Sequence, residues 1–191
     1  MNIYFFKNLP VSHRAAFRKS YTLQNLKAVQ VVCAIFFILN LFLRLFYTLV
    51  PNSLTRASNY PEFNYTNWIA LIVTPIFYLI SMRLLAVFSK KNKATGLMTA
   101  FVIAFSLYLL FSGIMASFIA TYDPRDNLTL YLVALITVGV MAVFEYEDTI
   151  MMTIFTELVF TIVLFCCEAD PTEVIYNQLT SVVLLSGFYF I

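Results

Sequence analysis

The sequence predicts an all-α fold: an integral membrane bundle of six transmembrane helices with both termini in the cytoplasm. Three observations predict it. First, of 191 residues 61% are hydrophobic and 12% charged, against roughly 45–50% and 25% in ordinary soluble domains. Mean hydropathy is +0.84, and a globule this small cannot hide so much apolar surface behind a wettable exterior. Second, the apolar residues fall in long continuous runs. The bilayer interior admits only helices or closed barrels, because unpaired backbone groups there cost several kcal/mol each. Barrel strands would alternate polar and apolar, so helices are expected. Third, the basic residues lie on one side of the resulting topology, as the positive-inside rule requires.

Each element follows in order. The segment 1–27 carries Lys7, Arg14, Arg18, Lys19 and Lys27, and is expected as a basic cytoplasmic helix extending out of the first span. The first span is Ala28–Val50, closed by Pro51. The second is Trp68–Phe88, with Asn67 as its expected cap. The third is Ala94–Thr121, and the fourth, a short one, is Leu128–Phe144. The fifth is Thr149–Phe165 and the sixth Val174–Ile191. Asp123-Pro124 and Asp170-Pro171 mark turns, since an acidic residue followed by proline stops one helix and starts the next. Residues 28–191 thus form one helical domain, with no length left for a soluble one.

The orientation rests on eight cations against two. The N-terminal segment and Lys90, Lys91 and Lys93 supply the cytoplasmic set, and Arg56 and Arg125 the outer one. The connection between spans four and five is cytoplasmic by alternation, yet reads Glu145-Tyr146-Glu147-Asp148 without a positive charge.

The composition excludes several functions. A net charge of +2 provides no field to attract nucleic acid. Cys33, Cys166 and Cys167 form neither a disulfide framework nor a metal motif. The single histidine, His13, and four scattered glycines argue against histidine metal pairs, a Ser-His-Asp triad and a phosphate loop. Neither a metal, a cofactor nor catalysis by these residues is expected.

The polar residues inside the spans are the candidates for function. Glu157 sits mid-way along the fifth span, where an acidic side chain costs about 3 kcal/mol on insertion scales and must face the bundle interior. It is either a ligand-contacting or proton-responsive carboxylate, or a neutral hydrogen-bonded group tying helices together. Asn40, deep in the first span, is expected to bond across helices. Arg44, one turn on, is expected to snorkel to the headgroups, with a Glu157–Arg44 pair as an open alternative. Asn177 and Gln178 open the sixth span, as caps or as the lining of an outward pocket. Trp68, with Tyr60, Phe63 and Tyr65, forms either an interfacial belt or a ligand cage. Thr149, Thr153 and Thr156 make a polar stripe beside Glu157. Ser112, Ala116 and Ala120, flanked by Gly113 and Ser117, form a ridge of small residues that permits close helix approach.

Three stretches together resemble a known arrangement. They are FRKSYTLQNLKAVQVVCAIFFILNLFLRL, with Asn25, Lys27 and Asn40; YDPRDNLTLYLVALITVGVMAVF, with Asp123 and Tyr131; and EVIYNQLTSVVLL, with Asn177. The chain resembles the six-helix N-terminal membrane region of bacterial sensor histidine kinases, diguanylate cyclases and membrane nucleotide cyclases. In such proteins the fourth-to-fifth connection often holds proline or a basic residue, unlike the acidic one here. The resemblance implies a sensor or regulatory input module in the bacterial inner (cytoplasmic) membrane, working as a homodimer. An unknown small ligand or a membrane signal would act on it, and a cytoplasmic kinase or cyclase output domain would follow the sixth helix. The bare apolar end LLSGFYFI fits a chain truncated before that domain. The sensing residues would be Glu157, Asn40, Arg44, Asn177 and Trp68. A small transporter or channel lined by the threonine stripe and Glu157 is the alternative, although no inverted repeat accompanies it.

Overall fold

A computed structural model describes residues 11–49, 60–118, 128–167 and 170–188. Among them are six helices: α1 (Val11–Leu49), α2 (Tyr60–Lys91), α3 (Gly96–Phe118), α4 (Leu128–Met141), α5 (Tyr146–Cys167) and α6 (Pro171–Phe188). Pro51, the Asp123-Pro124 turn, the outer cations Arg56 and Arg125, Lys7 and the end at Ile191 lie outside the described residues.

Helices α2, α3 and α5, and α1 from Ala15 onward, are long and apolar enough to cross a membrane. At 1.5 Å per residue the 39 residues of α1 run to about 58 Å, roughly twice the hydrocarbon layer. The start of α1 therefore continues the first span as a helix, as expected. The 14 residues of α4 reach only about 21 Å, short of a full crossing.

Local chemistry sets the helix boundaries. Asn92 adopts a left-handed conformation (φ 51°) and its N–H returns to the Phe88 carbonyl at 2.7 Å, which ends α2 at a residue type that tolerates this geometry. Asp170 caps α6: its Oδ1 accepts the Thr172 N–H at 2.8 Å, and Pro171 follows in the first turn, where no amide is needed. The expected cap at Asn67 is corrected. α2 begins seven residues earlier, at Tyr60 with Pro61 in its first turn, and Asn67 is a buried interior residue. Its amide is used sideways, toward α1, rather than along its own helix.

α3 is the central helix, with ten buried residues from Met98 to Phe118. It packs against α1, α2, α4 and α5. Its closest approach is to α4, at Gly113. A Cβ built there would lie 2.6 Å from the Ala134 Cβ and 3.1 Å from the Leu130 carbonyl oxygen. One turn on, the buried Ser117 Oγ accepts the Tyr131 backbone N–H at 2.9 Å. The small residues that permit this packing are therefore Gly113 and Ser117, whereas Ser112 and Ala116 are only half-buried.

α1 and α2 run antiparallel, because Arg44 meets Asn64 while Asn40 meets Asn67. Away from its neighbours α1 exposes Val31, Ile35, Ile38, Phe42, Leu45 and Leu49. The alternating spacing of four and three residues makes one continuous apolar stripe. With Ile69, Ile72, Ile76 and Leu79 on α2 and Ile154, Leu158 and Ile162 on α5 exposed likewise, the girdle far exceeds what a soluble monomer leaves in water. Its solvent is lipid.

The acidic connection between α4 and α5 has a structural account. Glu147 and Asp148 occupy the first turn of α5, where the helix dipole favours negative charge. Glu145 is reached by α1: Tyr21 Oη donates to its Oε1 at 2.8 Å and Arg18 Nε lies 3.6 Å from the same atom. The buried Asn25 completes the latch, donating to the Val143 carbonyl at 2.8 Å and accepting the Val143 N–H at 3.0 Å. The positive charge missing from this connection is supplied by the first helix.

Substituting Gly113→Ala forces the Ala134 methyl and the α4 backbone outward, a cost of about 1–3 kcal/mol. In detergent, its thermal unfolding midpoint falls below that of the unsubstituted chain. Gly96→Ala and Gly187→Ala, with no atom within 4 Å of the added methyl, show no such fall.

Candidate functional site

The described helices concentrate polar side chains in two places within the apolar layer. The first surrounds Glu157, eleven residues beyond the start of α5 at Tyr146, about 16 Å along its axis. The rest of that helix is apolar enough to cross a membrane, so the carboxylate must find its donors on neighbouring helices. They come from α6. Gln178 Nε2 donates to Glu157 Oε1, and Ser181 Oγ donates to Oε2 at 2.7 Å. Gln178 Nε2 also lies 3.0 Å from Thr161 Oγ1, and Thr161 donates back to the Glu157 carbonyl at 2.8 Å.

The network extends to α4. Tyr131 Oη is 3.3 Å from Ser181 Oγ, and either hydroxyl can donate. Tyr131 is fully buried, with its ring stacked on Phe160 at 4.9 Å and 20°. A single line of contacts thus joins α4, α6 and α5 through Tyr131, Ser181 and Glu157. Its hydroxyls permit two arrangements. With Glu157 ionised, Ser181 donates to the carboxylate and Tyr131 donates to Ser181. With Glu157 protonated on Oε2, the acid donates to Ser181, which then donates to Tyr131. The first satisfies every atom of the line; the second leaves the buried Tyr131 O–H without an acceptor among the described residues.

α6 depends on these bonds. It packs chiefly on α5, and among its described side chains Ser181 and Leu185 are the buried ones. Ile175, Tyr176, Leu179, Val182 and Val183 face outward. Gln178, Ser181 and Leu185, spaced by three and four residues, form its inward stripe.

The second polar centre joins the far ends of α1 and α2. Asn40 Nδ2 donates to the Phe36 carbonyl at 2.8 Å. Asn67 Nδ2 donates across the interface to the Asn40 carbonyl at 3.0 Å and to Asn40 Oδ1 at 3.1 Å. One turn farther out, Arg44 donates to Asn64 Oδ1, and its guanidinium carbon lies 4.5 Å from the centre of the Trp68 ring. Tyr47 and Phe63 pack beside this pair at 4.5 Å.

The structure therefore divides the five sequence-predicted site residues. Asn40, Arg44 and Trp68 come together on α1 and α2, and Glu157 stands in the other centre. Asn177 is half-buried on α6, while the bonds to the Glu157 carboxylate come from its neighbour Gln178 and from Ser181. Arg44 turns onto α2 instead of pairing with Glu157, since both groups spend their bonds locally. The aromatic cluster is more than a belt, because Trp68 holds a cation.

Sequence reasoning missed Ser181, Thr161 and the hydroxyl of Tyr131 as members of the Glu157 network. The three-and-four spacing of Gln178, Ser181 and Leu185 is the signal that could have found them. Two residues of the threonine stripe turn away from any path. Thr149 Oγ1 donates to the Glu145 carbonyl at 3.1 Å, and Thr156 is sealed in the core, its hydroxyl without a partner.

Cys33 is buried, while Cys166 and Cys167 are exposed. Among the described residues no cluster of His, Cys, Asp or Glu could hold a metal ion. No family model, curated protein or solved structure matches this chain.

The Gln178→Leu and Ser181→Ala substitutions each remove an interhelical bond worth about 1 kcal/mol in lipid. Hydrogen exchange of the α6 amides should quicken several-fold in either variant. Thr180→Ala, at an exposed hydroxyl bonded to the Tyr176 carbonyl of its own helix, should leave exchange between α5 and α6 unaltered.

Proposed function

We propose that this chain is a transmembrane input module. A signal in the membrane or at its outer face changes how α6 docks on the bundle, and α6 passes that change to a cytoplasmic effector. The observation that carries the reading is the attachment of α6. Its hold on the bundle centres on hydrogen bonds to one carboxylate, Glu157, through Gln178 and Ser181. A helix held by a reversible polar line, with little apolar burial, has two dockings of comparable energy within reach. A ligand that prefers one of them shifts the population.

In this reading the chain crosses the bilayer six times with both termini in the cytoplasm. The charge distribution supports that orientation. The antiparallel pairing of α1 and α2 brings Lys90 and Lys91, at the end of α2, down beside Arg18 and Lys19 near the start of α1. The Asn25–Val143 bonds place the turn between α4 and α5 at that same end. One end of the bundle thus gathers the basic residues, as a cytoplasmic face does.

The resemblance to the membrane regions of bacterial sensor kinases and cyclases supports the same proposal, and with it a bacterial inner-membrane location, a homodimer and a kinase or cyclase as the effector. For a transporter or channel the support is thinner: Thr149 bonds back to the Glu145 carbonyl and Thr156 is sealed in the core.

The test is a fusion of residues 1–191 to a reporter kinase domain after α6, inserted in a bacterial inner membrane. Glu157→Gln, Gln178→Leu and Ser181→Ala should each shift reporter output at least about twofold at equal membrane levels, because each changes the balance between dockings by about 1 kcal/mol. Output indifferent to all three would overturn the relay. Solute flux through reconstituted vesicles, abolished by Glu157→Gln, would replace it with transport.

A further inference from the structure

Among the described cations, Arg44 stands alone at the end of the bundle opposite Arg18, Lys19, Lys90, Lys91 and Lys93. It has no carboxylate partner: among the described residues the ion pair is that of Arg18 with Glu145. A guanidinium carries five N–H donors in a rigid planar fork. Among the described residues this one meets a single acceptor, Asn64 Oδ1, and the face of Trp68 at 4.5 Å.

The group is nevertheless held in place. The Trp68 ring lies against the guanidinium, and Asn64 holds one of its nitrogens. The Asn40–Asn67 bonds one turn deeper lock the two helices that carry it. Arg44 is half-buried, and Trp68 and Tyr65 beside it are exposed, so the remaining donors are accessible. A cation at the edge of an apolar layer without an internal counter-ion is completed by an external one. A planar fork with free parallel N–H groups matches the oxygens of a phosphate group in bidentate fashion.

We propose that Arg44, positioned by Asn64 and Trp68, forms a binding site for phosphate oxygens at the outer end of α1 and α2. The phosphate belongs either to the headgroup of an outer-leaflet phospholipid or to a soluble anion. The site stands apart from the Glu157 network and does not rest on the relay reading.

Trp68 is the one tryptophan in the chain, so tryptophan emission reports this site directly in the intact protein. The delipidated full chain in a nonionic detergent is titrated with sodium phosphate at constant ionic strength, with mixed micelles containing phosphatidylglycerol, and with diacylglycerol, which lacks the phosphate. A saturable change in Trp68 emission is expected with a phosphate-bearing probe and not with diacylglycerol. Saturation by sodium phosphate identifies a soluble-anion site; saturation by phosphatidylglycerol alone identifies a headgroup site. In Arg44→Gln the midpoint should weaken by at least about tenfold, the loss of a charged bidentate hydrogen bond. Arg44→Lys, which keeps the charge without the fork, and Asn64→Ala, which keeps the fork without its positioning, should each weaken it several-fold and serve if Arg44→Gln does not fold. No saturable change with either phosphate probe overturns the site, as does an equal response to diacylglycerol. Midpoints unchanged in the folded variants overturn it too.

Discussion

A hydrocarbon layer offers no hydrogen-bond partners, so a polar atom placed in it gains most by meeting another polar atom of the protein. That constraint shapes this protein more than apolar packing does. Lipid tails solvate leucine as well as another helix does, so burial of apolar side chains scarcely distinguishes one helix arrangement from another. The polar contacts do. Asn67 reaches Asn40 and sets the register of α1 on α2. The Ser117 hydroxyl takes the Tyr131 amide and sets α3 on α4. Glu157 draws in Gln178 and Ser181 and sets α6 on α5. Each helix pair is specified by a few bonds that have no substitute in the surrounding solvent.

Small residues complement those bonds. Where α3 and α4 approach most closely, a Cβ at Gly113 would meet Ala134 at 2.6 Å. Elsewhere in the core, large rings fill the space, as where Phe77 stacks on Tyr108 at 5.3 Å and Phe118 meets Phe160 edge-on at 5.5 Å. The result is a bundle with α3 at its centre and α6 at its rim. The attachment of α6 centres on the hydrogen bonds to Glu157.

The helices themselves were legible in the sequence, because run length and hydropathy reflect a requirement that each segment meets by itself. Their ends were less so. Asn67 carries the chemistry of a cap, and nothing local reveals that its partner lies 27 residues away on another helix. The importance of Glu157, Asn40, Arg44 and Trp68 was readable from their cost or placement in an apolar run. What each one touches was not, since the facing residue depends on helix rotation and neighbour choice, which weak apolar patterns leave open. The acidic Glu145-Tyr146-Glu147-Asp148 connection looked out of place by charge counting. A first-turn position on α5 and the reach of Arg18 from α1 account for it, and both are properties of the assembled bundle.

The polar contacts differ widely in sequence separation: within the deep Glu157 network Tyr131 and Ser181 are 50 residues apart, and the others divide into near and far. The near ones lie deep: Asn40 and Asn67 are 27 residues apart, Glu157 and Gln178 are 21, and Glu157 and Ser181 are 24. The distant ones, Tyr21 with Glu145 at 124 residues and Asn25 with Val143 at 118, sit at the end of the bundle that carries the basic residues. At ribosomal speeds of about 5–20 residues per second, a nascent Asn25 waits on the order of ten seconds for its partner, while Glu157 waits about one to five. The side chains that wait longest, Tyr21 and Asn25, lie at the basic end of the bundle, while the carboxylate in the apolar run finds its donors on the helix made immediately after its own. The costliest polar group of the chain is thus also one whose partners are synthesised within 24 residues of it.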